Sequence, residues 1–243
     1  MLYKTLADGG QSGLGRSDTF VALLPTLDGP GGWVEVPGPL GVNVNALAGD
    51  NGIHLATRKW IVRYLCEDIY EAEYEGEIKR ESRYLIARKV RLKRKFANWN
   101  ARTARLFAAD CADRVLDFYF RAYPGDPRPN NAIQLARQVA NEVIGPNAPQ
   151  VAAVNQAAFQ ALEEAADHTP AKSAALAAFS CLNVDQSAAS AARETAQAAI
   201  AAVKARRLDW ESVVTRRPNR KKEMAWQTNR LIRILHGPLP HGY

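Results

Sequence analysis

Along this 243-residue chain the spacing of apolar residues changes from about two to about 3.6, and the change falls between Phe96 and Asn100. Before it, Ile69-Tyr70-Glu71-Ala72-Glu73-Tyr74-Glu75-Gly76-Glu77 alternates strictly. Strand side chains point to opposite faces in turn, so Tyr70, Ala72 and Tyr74 share one side and Glu71, Glu73, Glu75 and Glu77 the other. Residues 84–96 predict a second strand, with Val90, Leu92 and Phe96 on one side and Lys89, Arg91, Lys93 and Lys95 on the other. After Asn100 apolar residues recur at helical spacing, and the chain becomes rich in alanine, the best helix former. Strands first and helices after make an α+β chain. The expected architecture is a small, mostly antiparallel N-terminal sheet domain over residues 1–97. An Ala-rich, all-α bundle of about six helices follows over residues 98–243.

Within the first part, residues 2–6, 33–36 and 40–47 read as further short strands, and a glycine-rich loop over residues 7–15 connects the first of them onward. Thr57 is placed to cap a helix over residues 58–65, with Trp60, Ile61, Tyr64 and Leu65 on one face. Within the second part, residues 99–123 predict one long helix capped by Asn98 or Asn100. Its buried face carries Leu106, Cys111, Val115, Phe118, Tyr119 and Ala122. A proline-rich stop over residues 124–129 ends it, and a helix over 129–143 follows with Ile133, Ala136, Ala140 and Val143 inward. Residues 150–167, 170–182, 187–207 and 220–235 complete the set.

The formal net charge of +7 is unevenly spread. Residues 1–66 balance, and residues 67–78 hold six acids and no base. Residues 79–98 hold nine bases and one acid, and residues 204–243 hold ten bases and three acids. Each basic block can face nucleic acid or an acidic protein. Pairing the glutamate strand with the Lys/Arg strand would neutralise the first block, at about 0.2–1 kcal/mol per pair. The second block includes Arg216, Arg217, Arg220, Lys221 and Lys222. It lies in a linker and a helix start, where the helix dipole disfavours cations, which points to an external anionic partner.

The candidates for chemistry are sparse. His54, in a Gly52-Ile53-His54-Leu55-Ala56 turn before a helix, is the best-placed histidine, and Glu73 stands for the glutamates that could supply a carboxylate. Neither has a partner at catalytic or metal-ligand spacing, so no metal and no cofactor are expected, and enzymatic activity is not the leading expectation. Cys66, Cys111 and Cys181 are an odd number without CxxC pairing, which predicts buried free thiols. No apolar run reaches the roughly 18–20 residues of a membrane span, and the first residues lack a signal-peptide pattern, so a cytoplasmic location is expected.

Residues 99–116, together with Tyr123-Pro124-Gly125-Asp126-Pro127-Arg128-Pro129 and Ala132-Ile133, resemble the helical domain of immunity proteins from bacterial polymorphic toxin systems. Ala225-Trp226-Gln227-Thr228-Asn229-Arg230-Leu231 is similar to that family's last helix, so the likeness spans about residues 99–235. The N-terminal part resembles an uncharacterised domain that accompanies it in phage and prophage genes, through Tyr3-Lys4-Thr5-Leu6, Trp33, Gly52-Ile53-His54-Leu55 and residues 70–76. The same order is faintly similar to ADP-ribosyltransferase folds, except that Tyr3 stands where that family has histidine and His54 where it has tyrosine.

The resemblance implies a non-enzymatic protein of phage or bacterial origin, in the host cytoplasm. It would bind and neutralise a protein partner, either a toxin or a host defence component. Two alternatives stay open. One is a nucleic-acid-binding accessory protein using residues 79–95 (Lys89, Arg91, Lys93) and 216–222. The other is a degenerate ADP-ribosyltransferase-like domain using His54 and a glutamate.

Overall fold

Two long strands carry the N-terminal part of the chain. The structure, a computed structural model, describes residues 1–7, 10–12, 23–41, 52–183, 186–205 and 220–237. In it β5 (Asp68–Arg80) and β6 (Tyr84–Lys95) pair antiparallel, from Tyr70↔Lys95 to Arg80↔Leu85. Around them lie β1 (Leu2–Ala7), β2 (Gln11–Ser12), β3 (Trp33–Glu35) and β4 (Ile53–Thr57). β1 pairs with both β4 and β5, and β6 pairs with the same two strands. The order β1-β5-β6-β4 therefore closes on itself as a small barrel, which removes the exposed edges that open sheets must protect. β2 extends β1, and β3 extends β6. The apolar positions fill the interior: Leu6, Leu55, Leu85, Ala87, Val90 and Leu92 are at most 1% exposed.

Two bulges adjust the β5–β6 register. Glu71 faces Arg94 while Ala72 faces Leu92, so Lys93 is an extra residue on β6. Glu75 faces Lys89 while Ile78 faces Ala87, so Gly76 and Glu77 together oppose Arg88. Gly76 takes φ +76°, a left-handed conformation that glycine adopts without steric cost.

The helix expected over residues 58–65 does not form. Thr57 is still in β4, paired with Leu2, so it cannot act as a cap. Only a single 3-10 turn, Ile61–Tyr64, follows, which buries Ile61 and Val62. The strand expected over 40–47 and most of the glycine loop lie outside the described residues. The chain divides into two units, Met1–Trp99 and Asn100–Tyr243. At the end of the first, the Trp99 indole donates a 2.8 Å hydrogen bond to the Cys66 carbonyl.

The second unit is helical, with seven α-helices among the described residues: α1 (Ala101–Asp113), α2 (Leu116–Ala122), α3 (Arg128–Ala140), α4 (Pro149–Glu164), α5 (Pro170–Leu182), α6 (Ala188–Ala205) and α7 (Arg220–His236). Asn100 caps α1 reciprocally, since the Thr103 amide donates to Asn100 Oδ1 and the Asn100 amide to Thr103 Oγ1, both at 3.0 Å. α1 packs against α3, α5, α6 and α7, and eight of its residues are buried. Alanines carry much of this contact: Ala175, Ala177 and Ala178 on α5 and Ala192, Ala196 and Ala199 on α6 are fully buried, so these helices approach closely.

The single helix expected over 99–123 is broken at Arg114–Val115, which raises the count from six to seven. Val115 leaves helical geometry (φ −113°, ψ 0°), and the turn re-aims the chain so that Val115, Leu116 and Tyr119 are buried. In consequence Phe118 is half-buried and Ala122 exposed, although one continuous helix would have turned both inward. α3 stops at Ala140, Glu142 takes φ +59°, and Val143 is 71% exposed, contrary to its expected inward position.

Asp126 ties α2 to α3. It accepts hydrogen bonds from the Tyr119 hydroxyl (2.5 Å), the Arg128 amide (3.0 Å) and the Arg128 guanidinium (2.7 Å). The Arg128 hydrogen bond, aided by Tyr119, holds the Asp126 carboxyl down to about 2 although burial opposes this. A carboxyl with a depressed native pKa contributes stability above the unfolded value near 4, and that contribution is lost as pH falls toward 2. Asp126→Asn should therefore be less stable than wild type at pH 6, with the gap closing between about pH 4 and 2 in denaturant titrations followed by circular dichroism.

Candidate functional site

Lys89, Arg91 and Lys93 of β6 meet the glutamates of β5. Lys89 contacts Glu75 at 3.0 Å, and Arg91 donates from Nε to Glu73 at 2.7 Å. Arg88 donates to Glu77. The Lys93 bulge brings two cations to one carboxylate: Lys93 lies 3.5 Å and Arg94 2.8 Å from Glu71. Burial opposes ionisation of Glu71, yet the Arg94 hydrogen bond and the Lys93 charge hold its carboxyl below the usual glutamate range. Past the bulge Lys95 faces Tyr70, on the side opposite the expected one, and pairs with Asp68 at 2.6 Å. Trp33 of β3 lies opposite Arg91 in register, with the Arg91 guanidinium 4.7 Å and the Lys89 ammonium 5.1 Å from its ring centre.

Lys89, Arg91, Lys93 and Glu73 are thus brought together, but in mutual pairing. These pairs are partly exposed, Arg91 and Glu73 by about a third each, so their strength is modest. A double-mutant cycle of Arg91→Ala and Glu73→Ala should return a coupling of about 0.2–1 kcal/mol, shrinking in high salt.

His54 sits within β4, opposite Ile86, rather than in a turn before a helix. It is 9% exposed, its ring lies 4.8 Å from that of Tyr84, and it lines a cleft with Tyr3, Thr5, Tyr64 and Tyr84. Among the described residues no carboxylate lines this cleft, and Glu73 stays on the charge ladder, so the structure does not bring His54 and Glu73 together. Lys4 also borders the cleft, and no motif in the sequence marks it as a site residue. It shares the β1 face of Leu2 and Leu6, is 3% exposed, and burial lowers its amine to about 8. The alternation in Leu2-Tyr3-Lys4-Thr5-Leu6 already places it on that face.

In the helical unit the notable polar group is an ion-pair cluster. Glu223, in the first turn of α7, is 1% exposed and accepts from Arg114 Nε at 3.0 Å and from Gln227 at 3.2 Å. The Arg114 guanidinium also lies 4.1 Å from the Trp226 ring centre. Asp110 accepts from Arg230 at 2.9 Å and from Arg137 at 3.4 Å, and Arg137 also reaches Asp113 at 3.0 Å. The aspartates of α1 thus serve α3 and α7 within one unit.

Arg220, Lys221 and Lys222 occupy the first turn of α7, with both lysines exposed, while Arg216 and Arg217 lie outside the described residues. The three cysteines are free and buried. Burial pushes the Cys181 thiol up to about 12, and burial together with Glu223 and Asp110 pushes Cys111 up as well, so neither is a ready nucleophile. Among the described residues no group of three or more His, Cys, Asp or Glu could hold a metal ion, and no helix is long and apolar enough to cross a membrane.

The model of one protein family, described as Imm-5 like putative immunity protein, matches residues 94–234. That is more than half of the 243 residues. The chain belongs to this family. The matched region takes in α1 to α6 and nearly all of α7, so the Arg114–Glu223 and Asp110–Arg137–Arg230 contacts fall inside the immunity-family part. The barrel strands before residue 94 fall outside it. Neither the curated proteins nor the solved structures compared with the chain returned a match.

Proposed function

We propose that this immunity-family protein acts by binding and neutralising a protein partner, a toxin or a host defence component, in the cytoplasm of a bacterial host that carries it on its own or a phage genome. The carrying observation is the family match over the helical unit. The first turn of α7 supports a partner-facing role. Its acid, Glu223, is turned inward to Arg114, so the surface of that turn presents Arg220 and Lys221. An acidic partner surface would complement that turn, and charge complementarity raises association rates.

The ladder on β6 supports nucleic-acid binding less well, because its bases are engaged by Glu71, Glu73, Glu75 and Glu77. Affinity capture of the full chain from its host should recover one protein at near-equal stoichiometry, and Arg220→Glu with Lys221→Glu should reduce that recovery. Recovery of nucleic acid alone would overturn the reading.

A further inference from the structure

Two sets of bases stand out in the N-terminal unit. Those on β6 have carboxylate partners. At the opposite end of that strand, Lys59, Arg63 and Arg83 form no salt bridge among the described residues. Residues 52–66 contain three bases and no acid. Of the acids that follow in the chain, Glu81 pairs with Lys79 at 3.6 Å and Glu71 with Arg94, which leaves Glu67 against Lys59, Arg63 and Arg83.

These bases surround aromatic rings rather than carboxylates. The register Tyr3↔Ala56 and Ala56↔Tyr84 sets the starts of β1 and β6 beside the end of β4. The half-buried Tyr64 and Tyr84 line a cleft there, with the buried Tyr3 and His54 beneath. Lys59 and Arg83 lie 5.3 Å and 5.9 Å from the ring centre of the half-buried Trp60. Burial raises the Tyr64 phenol, and Arg63 and Arg83 lie close enough to pull it back.

We propose that this corner of the barrel binds single-stranded nucleic acid. Lys59, Arg63 and Arg83 supply phosphate contacts, and the half-buried rings of Trp60, Tyr64 and Tyr84 supply stacking for unpaired bases, the two elements that sequence-tolerant single-strand binding requires. An acidic protein would use the cations but would have no need of the rings. A duplex would use the cations, but its bases are already stacked on one another. This site is separate from the α7 turn and does not depend on the partner-binding reading.

The test is fluorescence anisotropy of a labelled oligothymidylate of roughly ten nucleotides with the full chain at low salt. Binding is expected, with log affinity falling against log salt by about 0.7 per phosphate engaged. Lys59→Ala with Arg83→Ala should weaken it about tenfold or more, while Arg91→Ala on the paired ladder leaves it unchanged. Thermal melting confirms that each variant is folded, and because Lys59 and Arg83 are exposed, their replacement should spare the fold. Trp60→Leu, which keeps an apolar side chain but removes the ring, should also weaken binding. No binding would overturn the proposal, as would binding unaffected by the Lys59/Arg83 pair. Loss instead on Arg220→Ala with Lys221→Ala would also overturn it, as would competition by polyglutamate as strong as by unlabelled oligothymidylate.

Discussion

Replacing Arg114 by alanine should destabilise the helical unit by about 3 kcal/mol, more than most single surface changes on this protein. The reason lies in the partner. Glu223 is 1% exposed, and without Arg114 its charge stays buried with Gln227 as its remaining hydrogen-bond donor. Loss of the guanidinium from the Trp226 face adds about 0.5–1 kcal/mol to the same change. The reverse change, Glu223→Gln, should cost less, about 1–2 kcal/mol, because the freed Arg114 is 31% exposed and can be hydrated. Urea unfolding followed by helical circular dichroism measures both. Equal losses for the two variants would show that the buried carboxylate is not the sensitive member.

Phe107→Ala should cost about 3–5 kcal/mol, because the ring is fully buried on α1 and the alanine-rich helices around it have little side chain to collapse into the space. Phe118→Ala, at a half-buried position, should cost clearly less. The same unfolding experiment compares them. Periodicity in the sequence favours Phe118, because it assumes a single helix with one buried stripe. Phe107 lies outside that stripe, and it is buried because α1 is covered from several sides, with Thr103, Ala104, Ala108 and Ala112 buried as well.

The candidate site was legible where its geometry is local. Strict alternation of glutamates on one strand and bases on the next implies facing ladders, and Glu73–Arg91 and Glu75–Lys89 form as that pattern demands. Which base meets Glu71 was not legible. A bulge at Lys93 decides it, and a bulge follows from how the strands must bend to close the barrel. The strand position of His54 likewise depends on distant pairing. Its segment joins a ladder with β6, whose register depends on a strand some thirty residues away, and that pairing overrode the local helical pattern of residues 58–65.

The sequence by itself determined the α+β order, the switch near Phe96, the restart of the helices after Pro127 and the facing of Glu73 and Glu75 with Arg91 and Lys89, because each depends on neighbours within a few residues. Tertiary structure alone decided the closure of the sheet, the break at Arg114–Val115 and the inward turn of Glu223. It also decided which cations have acid partners. These outcomes rest on contacts between residues far apart in the chain, such as Arg114 with Glu223 and Tyr3 with Ala56, and the free energy of burying or pairing such groups is set by the packing around them.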